Sequence, residues 1–163
     1  MSLRAVLVVA FLLGGCGLKP LYSGGANGAA AQALAGIAVA PIPERSGWLV
    51  RQALTNRLGG DAGVSRYRLE VLLDDKIEGF GIRSNDAITR ERRTLRARYK
   101  LIDLATGAVA LDATAAADAG IDATVSEYAT IAAEQTALER LSTEIADQIV
   151  TRLALFARNG QQP

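Results

Sequence analysis

The chain has 163 residues, 18 basic and 17 acidic side chains, one cysteine and no histidine. These counts exclude Ser–His and Cys–His catalysis, histidine metal ligands, an internal disulfide and a thiolate zinc cluster, so we expect no metal site and no cofactor. The net charge of +1 gives no overall attraction to nucleic acid, and the length suits a single folded domain.

The first fifteen residues have the pattern of a secretion signal. A single cation, Arg4, precedes an apolar run over residues 5–13. A run of about nine residues is too short to cross a hydrocarbon core of about 30 Å as a helix, but it suits the apolar region of a signal peptide. We therefore predict that residues 1–15 are a signal peptide.

The only cysteine follows this run directly. The sequence Leu13-Gly14-Gly15-Cys16 resembles a bacterial lipobox, in which the cysteine thiol receives a diacylglyceryl group and the new amino terminus is acylated. Acyl chains contribute about 0.8 kcal/mol per buried CH₂, so two or three anchor a protein stably. The alternatives are an ordinary signal peptide with a chance cysteine, or a cytosolic protein with an apolar start. Because Gly17 follows, and not the aspartate of inner-membrane lipoproteins, we expect the periplasmic side of the outer membrane.

The next segments alternate between flexible and ordered composition. Residues 16–35 are rich in glycine and alanine and predict a lipid-anchored tether. Residues 36–41 predict a short strand, and a helix follows over residues 46–58, with Ser46 as its cap and Trp48 as a core anchor.

Three strands and one long helix complete the domain. The strands are predicted over residues 65–82, 87–102 and 108–121, and the last two are joined by a hairpin turn in which Gly107 suits a positive φ. A helix is predicted over about residues 127–158. Its apolar residues recur at intervals of three and four: Leu138, Leu141, Ile145, Ile149, Leu153 and Phe156.

The order β-α-β-β-β-α predicts an α+β domain over residues 36–158. Two helices would pack on one face of a four-stranded mixed sheet, with the first two strands parallel through a right-handed crossover and the others antiparallel. Residues 159–163 are expected to form a disordered tail.

Charge is segregated along the chain. Residues 90–100 contain six cations against one acid, a local charge of +5, whereas residues 101–139 contain seven acids and no cation. Successive strand residues point to opposite faces, so the even positions of the long strand place five cations on one face. These are Arg90, Arg92, Arg96, Arg98 and Lys100, which we call the basic row.

Two interpretations of the basic row remain open at this stage. In the first, the cations meet acids on neighbouring strands. With a short hairpin loop, the residue numbers of two paired positions add up to about 210 or 212, which places Asp112 opposite Arg98 or Lys100. On the preceding strand, Glu70 and Asp74 would share that outer face. In the second, the cations exceed their acidic partners and the row binds an anion such as phosphate.

Two further features argue against catalysis and against nucleic-acid binding. Asp74 and Asp75 are adjacent on a strand, so their side chains point to opposite faces and cannot converge on one substrate. We interpret both as surface acids and find no convergent catalytic set. Nucleic-acid binding is disfavoured because no aromatics are interleaved with the cations except Tyr99.

Several short motifs occur along the chain in the same order as in one known family. They are Cys16-Gly17-Leu18-Lys19-Pro20-Leu21-Tyr22, Thr89-Arg90, Tyr99-x-Leu101-x-Asp103 with Thr106-Gly107, Tyr128-Ala129, Ala133-Glu134-x-x-Ala137-x-x-Arg140 and Ile145-x-x-x-Ile149-x-x-Arg152-Leu153. From Cys16 to about Arg158, the chain resembles the LptE lipoproteins of lipopolysaccharide assembly, in their alphaproteobacterial form.

The resemblance implies a fold and a role. Such proteins have a four-stranded sheet with two helices, are not enzymes, plug the lumen of the outer-membrane β-barrel LptD, and assist its assembly and the delivery of lipopolysaccharide. It also implies that the basic row contacts lipopolysaccharide phosphate or the barrel, since guanidinium groups suit phosphate. The alternative is an auxiliary periplasmic lipoprotein of a lipid-transport ABC system.

Overall fold

The computed structural model describes residues 34–59, 65–82, 88–122 and 126–159. Six elements follow one another along the chain: β1 (Ile37–Val39), α1 (Glu44–Leu58), β2 (Tyr67–Ile82), β3 (Ile88–Asp103), β4 (Val109–Asp122) and α2 (Glu127–Asn159). The predicted signal peptide, Cys16 and most of the predicted tether lie outside the described residues.

The four strands form one mixed sheet in the order β1-β2-β3-β4. β1 pairs in parallel with β2, while β2 with β3 and β3 with β4 are antiparallel. Both helices cover the same face. The predicted α+β class, element order and mixed sheet are confirmed, and the predicted boundaries agree to within about two residues.

The core lies between the helices and the odd-numbered side chains of the sheet. From the sheet, Leu69, Leu95, Tyr99 and Leu101 are at most 2% exposed. On α1 the buried apolar stripe consists of Val50, Leu54 and Leu58. On α2 the predicted residues Leu138, Leu141, Ile145, Ile149 and Leu153 are buried, while Phe156 is half-buried and packs edge-on against Tyr67.

Two predictions for the first helix are wrong. Ser46 does not cap α1, because the helix begins at Glu44 after Pro43 and no side chain caps it; Ser46 is buried instead. Trp48 is not a core anchor, since 59% of it is exposed. The buried stripe of α1 includes Ser46, Val50 and Leu54, and at 100° per residue the Trp48 side chain points away from that stripe.

The hairpin between β3 and β4 forms as predicted. Gly107 has a φ of 73°, a conformation that an L side chain rarely adopts, and its N–H donates to the Asp103 carbonyl at 2.8 Å. A β-bulge lies between Leu101 and Ile102. The bulge lies between the turn and the pair Lys100 and Asp112. On the side of the bulge away from the turn, the residue numbers of two paired positions add up to 212, as they do for that pair.

No helix in the described part of the chain is long and apolar enough to cross a membrane.

Gly47 provides a test of how α1 docks. A Cβ placed there would lie 2.7 Å from the Ile42 carbonyl oxygen, whereas a Cβ at Gly120 in β4 would meet nothing within 4 Å. Overpacking against backbone costs about 1–3 kcal/mol, which exceeds the gain of at most about 1 kcal/mol in helix propensity. We expect Gly47→Ala to lower the free energy of unfolding by about 1 kcal/mol or more.

The matched control is Gly120→Ala, which should leave stability within about 0.5 kcal/mol. Denaturant unfolding of both variants measures the difference. Equal stability of the two variants would contradict the close approach of α1 to the Ile42 peptide.

Candidate functional site

The basic row lies on the face of the sheet opposite the helices, which we call the outer face. Leu95, Ala97, Tyr99 and Leu101 of β3 are buried on the helix side, so the alternation of the strand directs the even-numbered cations outward. The four arginines of the row are exposed and Lys100 is half-exposed. The predicted residues are therefore brought together in one line, interrupted at Thr94.

Acids of β2 lie along one side of the row. The register places Glu70 opposite Lys100, Asp74 opposite Arg96, and Glu78 opposite Arg92. Two of these acids pair within β2: Glu70 contacts Arg68 at 3.0 Å and Asp74 contacts Lys76 at 3.3 Å.

Acids of β4 lie along the other side and pair more directly with the row. Arg98 reaches Asp112 at 3.1 Å, Arg90 reaches Asp122 at 3.3 Å, and Arg92 reaches Asp118 at 3.9 Å. A hydrogen bond from Arg98 lowers the pKa of the Asp112 carboxyl, and the same contact raises the pKa of the guanidinium. Exposed pairs of this type contribute about 0–1 kcal/mol each.

The outer face is therefore striped and nearly neutral. On the outer face of β2, β3 and β4 the described side chains include seven cations and six acids, for a local charge of +1. The cations are the basic row with Arg68 and Lys76; the acids are Glu70, Asp74, Glu78, Asp112, Asp118 and Asp122. Of the seven acids in residues 101–139, only Asp112, Asp118 and Asp122 lie beside the basic row, and the other three acids of this face belong to β2.

Two cations of the row are not used in ion pairs. Among the described residues, no acid lies within 4 Å of the Arg96 guanidinium or the Lys100 ammonium. Lys100 lines a shallow depression of about 340 Å³ together with Glu70, Val71, Leu72 and Arg98. Leu72 is 70% exposed there, so the depression combines an apolar side chain with cations and can accept an anionic group attached to an alkyl chain.

A second charged cluster lies on the helix side of the sheet. Arg93 holds Asp75 through two hydrogen bonds of 2.9 and 2.7 Å and donates to the Glu134 carbonyl of α2 at 3.0 Å. The side chains of the pair are only 12% and 16% exposed. Asp74 and Asp75 do point to opposite faces, but the prediction that Asp75 is a surface acid is wrong.

Sequence reasoning missed this cluster although a signal was present. Asp75, Glu91 and Arg93 occupy odd positions, where strand alternation places side chains toward the helices. Burial raises the pKa of the Glu91 carboxyl, and the charge of Glu134 and a hydrogen bond to its side chain raise it further. The cluster joins the middle of β2 and the N-terminal part of β3 to the N-terminal part of α2.

The arrangement defines a class of protein. The residues 34–59, 65–82, 88–122 and 126–159 contain no group of three or more acids or cysteines placed to hold a metal ion. The chemistry of the molecule lies in a charged outer face on a small helix-covered sheet. The molecule is thus a small α+β domain that presents a charged sheet face.

Comparisons with known proteins identify the family. The model of the LptE lipopolysaccharide-assembly family matches residues 34–153, and the chain belongs to that family. A comparison with curated protein sequences gives no significant match.

Solved structures share the fold. A lipoprotein from Caulobacter crescentus CB15 is 24% identical, with a TM-score of 0.67 over 79% of this chain and 96% of the other. Rare lipoprotein B from Shewanella oneidensis is 10% identical, with a TM-score of 0.60 over 77% and 98% of the two chains. A minor lipoprotein from Acinetobacter baumannii is 15% identical, with a TM-score of 0.56 over 78% and 96%.

The Glu91 carboxyl gives the fold a specific pH dependence. Its pKa is raised above the ordinary value of 4.5 in the folded state. At pH values between 4.5 and the folded-state pKa, the folded chain therefore binds more protons than the unfolded chain. The stability that Glu91 contributes is complete at pH values below its ordinary pKa and declines as the pH rises through its folded-state pKa.

We expect Glu91→Gln to lose less stability than the wild type when pH rises from about 4 to 7, because its side chain stays neutral. Denaturant unfolding at several pH values measures this difference. Glu144→Gln, an exposed change on α2, is the control and should follow the wild type. Identical pH profiles for the wild type and Glu91→Gln would contradict the raised pKa.

Proposed function

We propose that this LptE-family protein is a lipid-anchored, non-enzymatic component of lipopolysaccharide export. It acts at the periplasmic side of the outer membrane, plugs the outer-membrane β-barrel LptD and assists its assembly, and aids delivery of lipopolysaccharide to the outer leaflet. The observation that carries the proposal is the family match over residues 34–153. Anchoring through lipidated Cys16 belongs to the same proposal.

The character of the outer face supports a role inside a barrel. The lumen of an outer-membrane barrel is polar, and a face with rows of both signs offers ion pairs and hydrogen bonds to such a wall. A face of this kind would be expensive to bury against hydrocarbon, because unpaired charges resist desolvation. The striped surface therefore suits contact with a charged protein wall or with a hydrated phosphoglycolipid.

The two unpaired cations support contact with lipopolysaccharide phosphate. Arg96 and Lys100 have no ion-pair partner within 4 Å in the described part of the chain, and Leu72 lies exposed beside Lys100. A guanidinium presents a planar fork of donors that matches phosphate oxygens. We propose that the row Arg90, Arg92, Arg96, Arg98 and Lys100 provides the contact with lipopolysaccharide phosphate or with the barrel.

Purification from native membranes tests the function. Cells are labelled with palmitate, the outer membrane is solubilised, and the tagged chain is recovered with its partners. We expect palmitate on the chain and an outer-membrane barrel in a ratio of about 1:1, whereas Cys16→Ser should carry no label. Recovery of an inner-membrane transporter, or of the chain alone, would count against the proposal.

The basic row has its own test in purified protein. We expect Arg96→Ala combined with Arg98→Ala to weaken lipopolysaccharide binding about tenfold, while the melting temperature changes little because exposed ion pairs contribute about 0–1 kcal/mol each. The control is Arg140→Ala with Arg158→Ala, which removes two exposed cations from α2. Unchanged binding together with a lower melting temperature would show that the row only stabilises the sheet.

A further inference from the structure

Most of β2 is an unpaired edge of the sheet. β1 is only three residues long and covers β2 from Tyr67 to Leu69. From Glu70 to Ile82, β2 pairs with β3 on one side and with no described strand on the other. An edge of this length presents a row of backbone donors and acceptors to a second strand.

The hydrogen bonds to β1 show which backbone groups of β2 point outward. The N–H of Tyr67 donates to the Gly36 carbonyl at 3.0 Å, and the Leu69 carbonyl accepts from Ala40 at 2.9 Å. Odd-numbered residues therefore face the β1 side, and the register with β3 continues without a shift from Tyr67 to Phe80. The N–H and C=O groups of Val71, Leu73, Asp75 and Ile77 consequently point to the open edge.

No described residue is recorded as forming a hydrogen bond with the outward N–H and C=O groups of those four residues. Exposed apolar side chains alternate with exposed charges along the same stretch. Leu72 is 70% exposed and Ile77 and Phe80 are each 41% exposed, and the exposed side chains between them include Asp74, Lys76 and Glu78. Natural edge strands are normally short, charged or covered. This one carries charges of both signs, but it is long and offers apolar side chains beside backbone groups that no described residue bonds, as strands that accept a partner do.

The opposite edge of the sheet is protected. Gln148 of α2 lies over β4 and donates to the Ala116 carbonyl at 3.1 Å. The outer face of β4 presents three aspartates, Asp112, Asp118 and Asp122. Charges on the outer face are common to both edge strands, so the difference lies in the Gln148 side chain, which occupies a backbone carbonyl of β4 and discourages strand addition. No described side chain does the same along the edge of β2.

We propose that Leu72–Phe80 binds an extended strand of another protein by β-augmentation. On the outer face the edge reads Leu72, Asp74, Lys76, Glu78 and Phe80, and Glu78 has no ion pair within the described part of the chain. The complementary strand alternates apolar, basic, acidic, basic and apolar side chains at every second position. That pattern is the same in both directions, so it fits a parallel or an antiparallel partner.

A second copy of this chain fits the edge less well. Antiparallel pairing centred on Lys76 would place Lys76 opposite itself and Asp74 opposite Glu78, and like charges opposite each other are destabilising. Moving the register by two residues pairs Asp74 with Lys76 but leaves Leu72 opposite Glu78. The occupant is therefore a different chain, and this inference does not depend on the function proposed above.

Peptide binding to the full-length, detergent-solubilised protein tests the proposal. The probe is a fluorescent peptide of sequence Leu-Thr-Lys-Thr-Glu-Thr-Lys-Thr-Leu, followed by fluorescence anisotropy. The charge-swapped peptide Leu-Thr-Glu-Thr-Lys-Thr-Glu-Thr-Leu should bind at least about tenfold more weakly. Asp74→Lys with Glu78→Lys should reverse that preference, whereas Glu139→Lys with Glu144→Lys on α2 should not.

Two N-methylated probes test the backbone contribution without changing the protein. One carries N-methyl groups on its threonines and the other on its lysines and glutamate, so the modified amides point to opposite edges of the bound strand. We expect one probe to lose binding and the other to retain it, which also reports the strand direction.

Three outcomes would overturn the proposal. They are no binding up to about 1 mM of the probe, equal binding of both charge patterns, or equal loss with both N-methylated probes. Sedimentation that shows a dimer, and its loss in the Asp74→Lys, Glu78→Lys variant, would assign the edge to self-association instead.

Discussion

β3 pairs along almost its whole length with β2 on one side and with β4 on the other, and both registers must be satisfied together. The buried side chains Leu95, Tyr99 and Leu101 hold these registers, because a slip of one residue would move them to solvent and bring arginines into the core. The same constraint places the basic row on the outer face. The position of every charge on that face follows from the burial of a few apolar residues on the other.

The registers also determine the electrical character of the outer face. A strand with five cations would repel itself if its neighbours were neutral, yet β2 and β4 each bring acids beside it. The separate pairs are exposed and individually weak, and together they give a surface of alternating rows with little net charge. Such a surface is hydrated and specific in pattern, which suits recognition of charged partners better than insertion into lipid.

Much of this fold is predictable from the sequence because the periodic signals are strong. The apolar repeat of α2 and the alternation of β3 predict which faces are buried, and the hairpin at Gly107 predicts that Asp112 lies opposite Arg98 or Lys100. Trp48 was mispredicted because residue type favours burial, whereas its angular position on α1 directs it outward. Arg93 was missed because a charged residue at an inward position becomes intelligible only when Asp75 and Glu134 are seen to surround it.

The sequence by itself determined the element order, the buried stripes and the line of five cations, since these depend on periodicities of two and about 3.6 residues along one chain. Only the tertiary structure decided which cations have partners and which strand edge is open. Arg96 remains without an ion pair within the described residues, while Arg98 meets Asp112, because cross-strand neighbours depend on the register between segments. The exposed edge of β2 is also decided by contacts between segments, because it depends on β1 ending after three residues. The sequence of β2 contains no information about the length of β1.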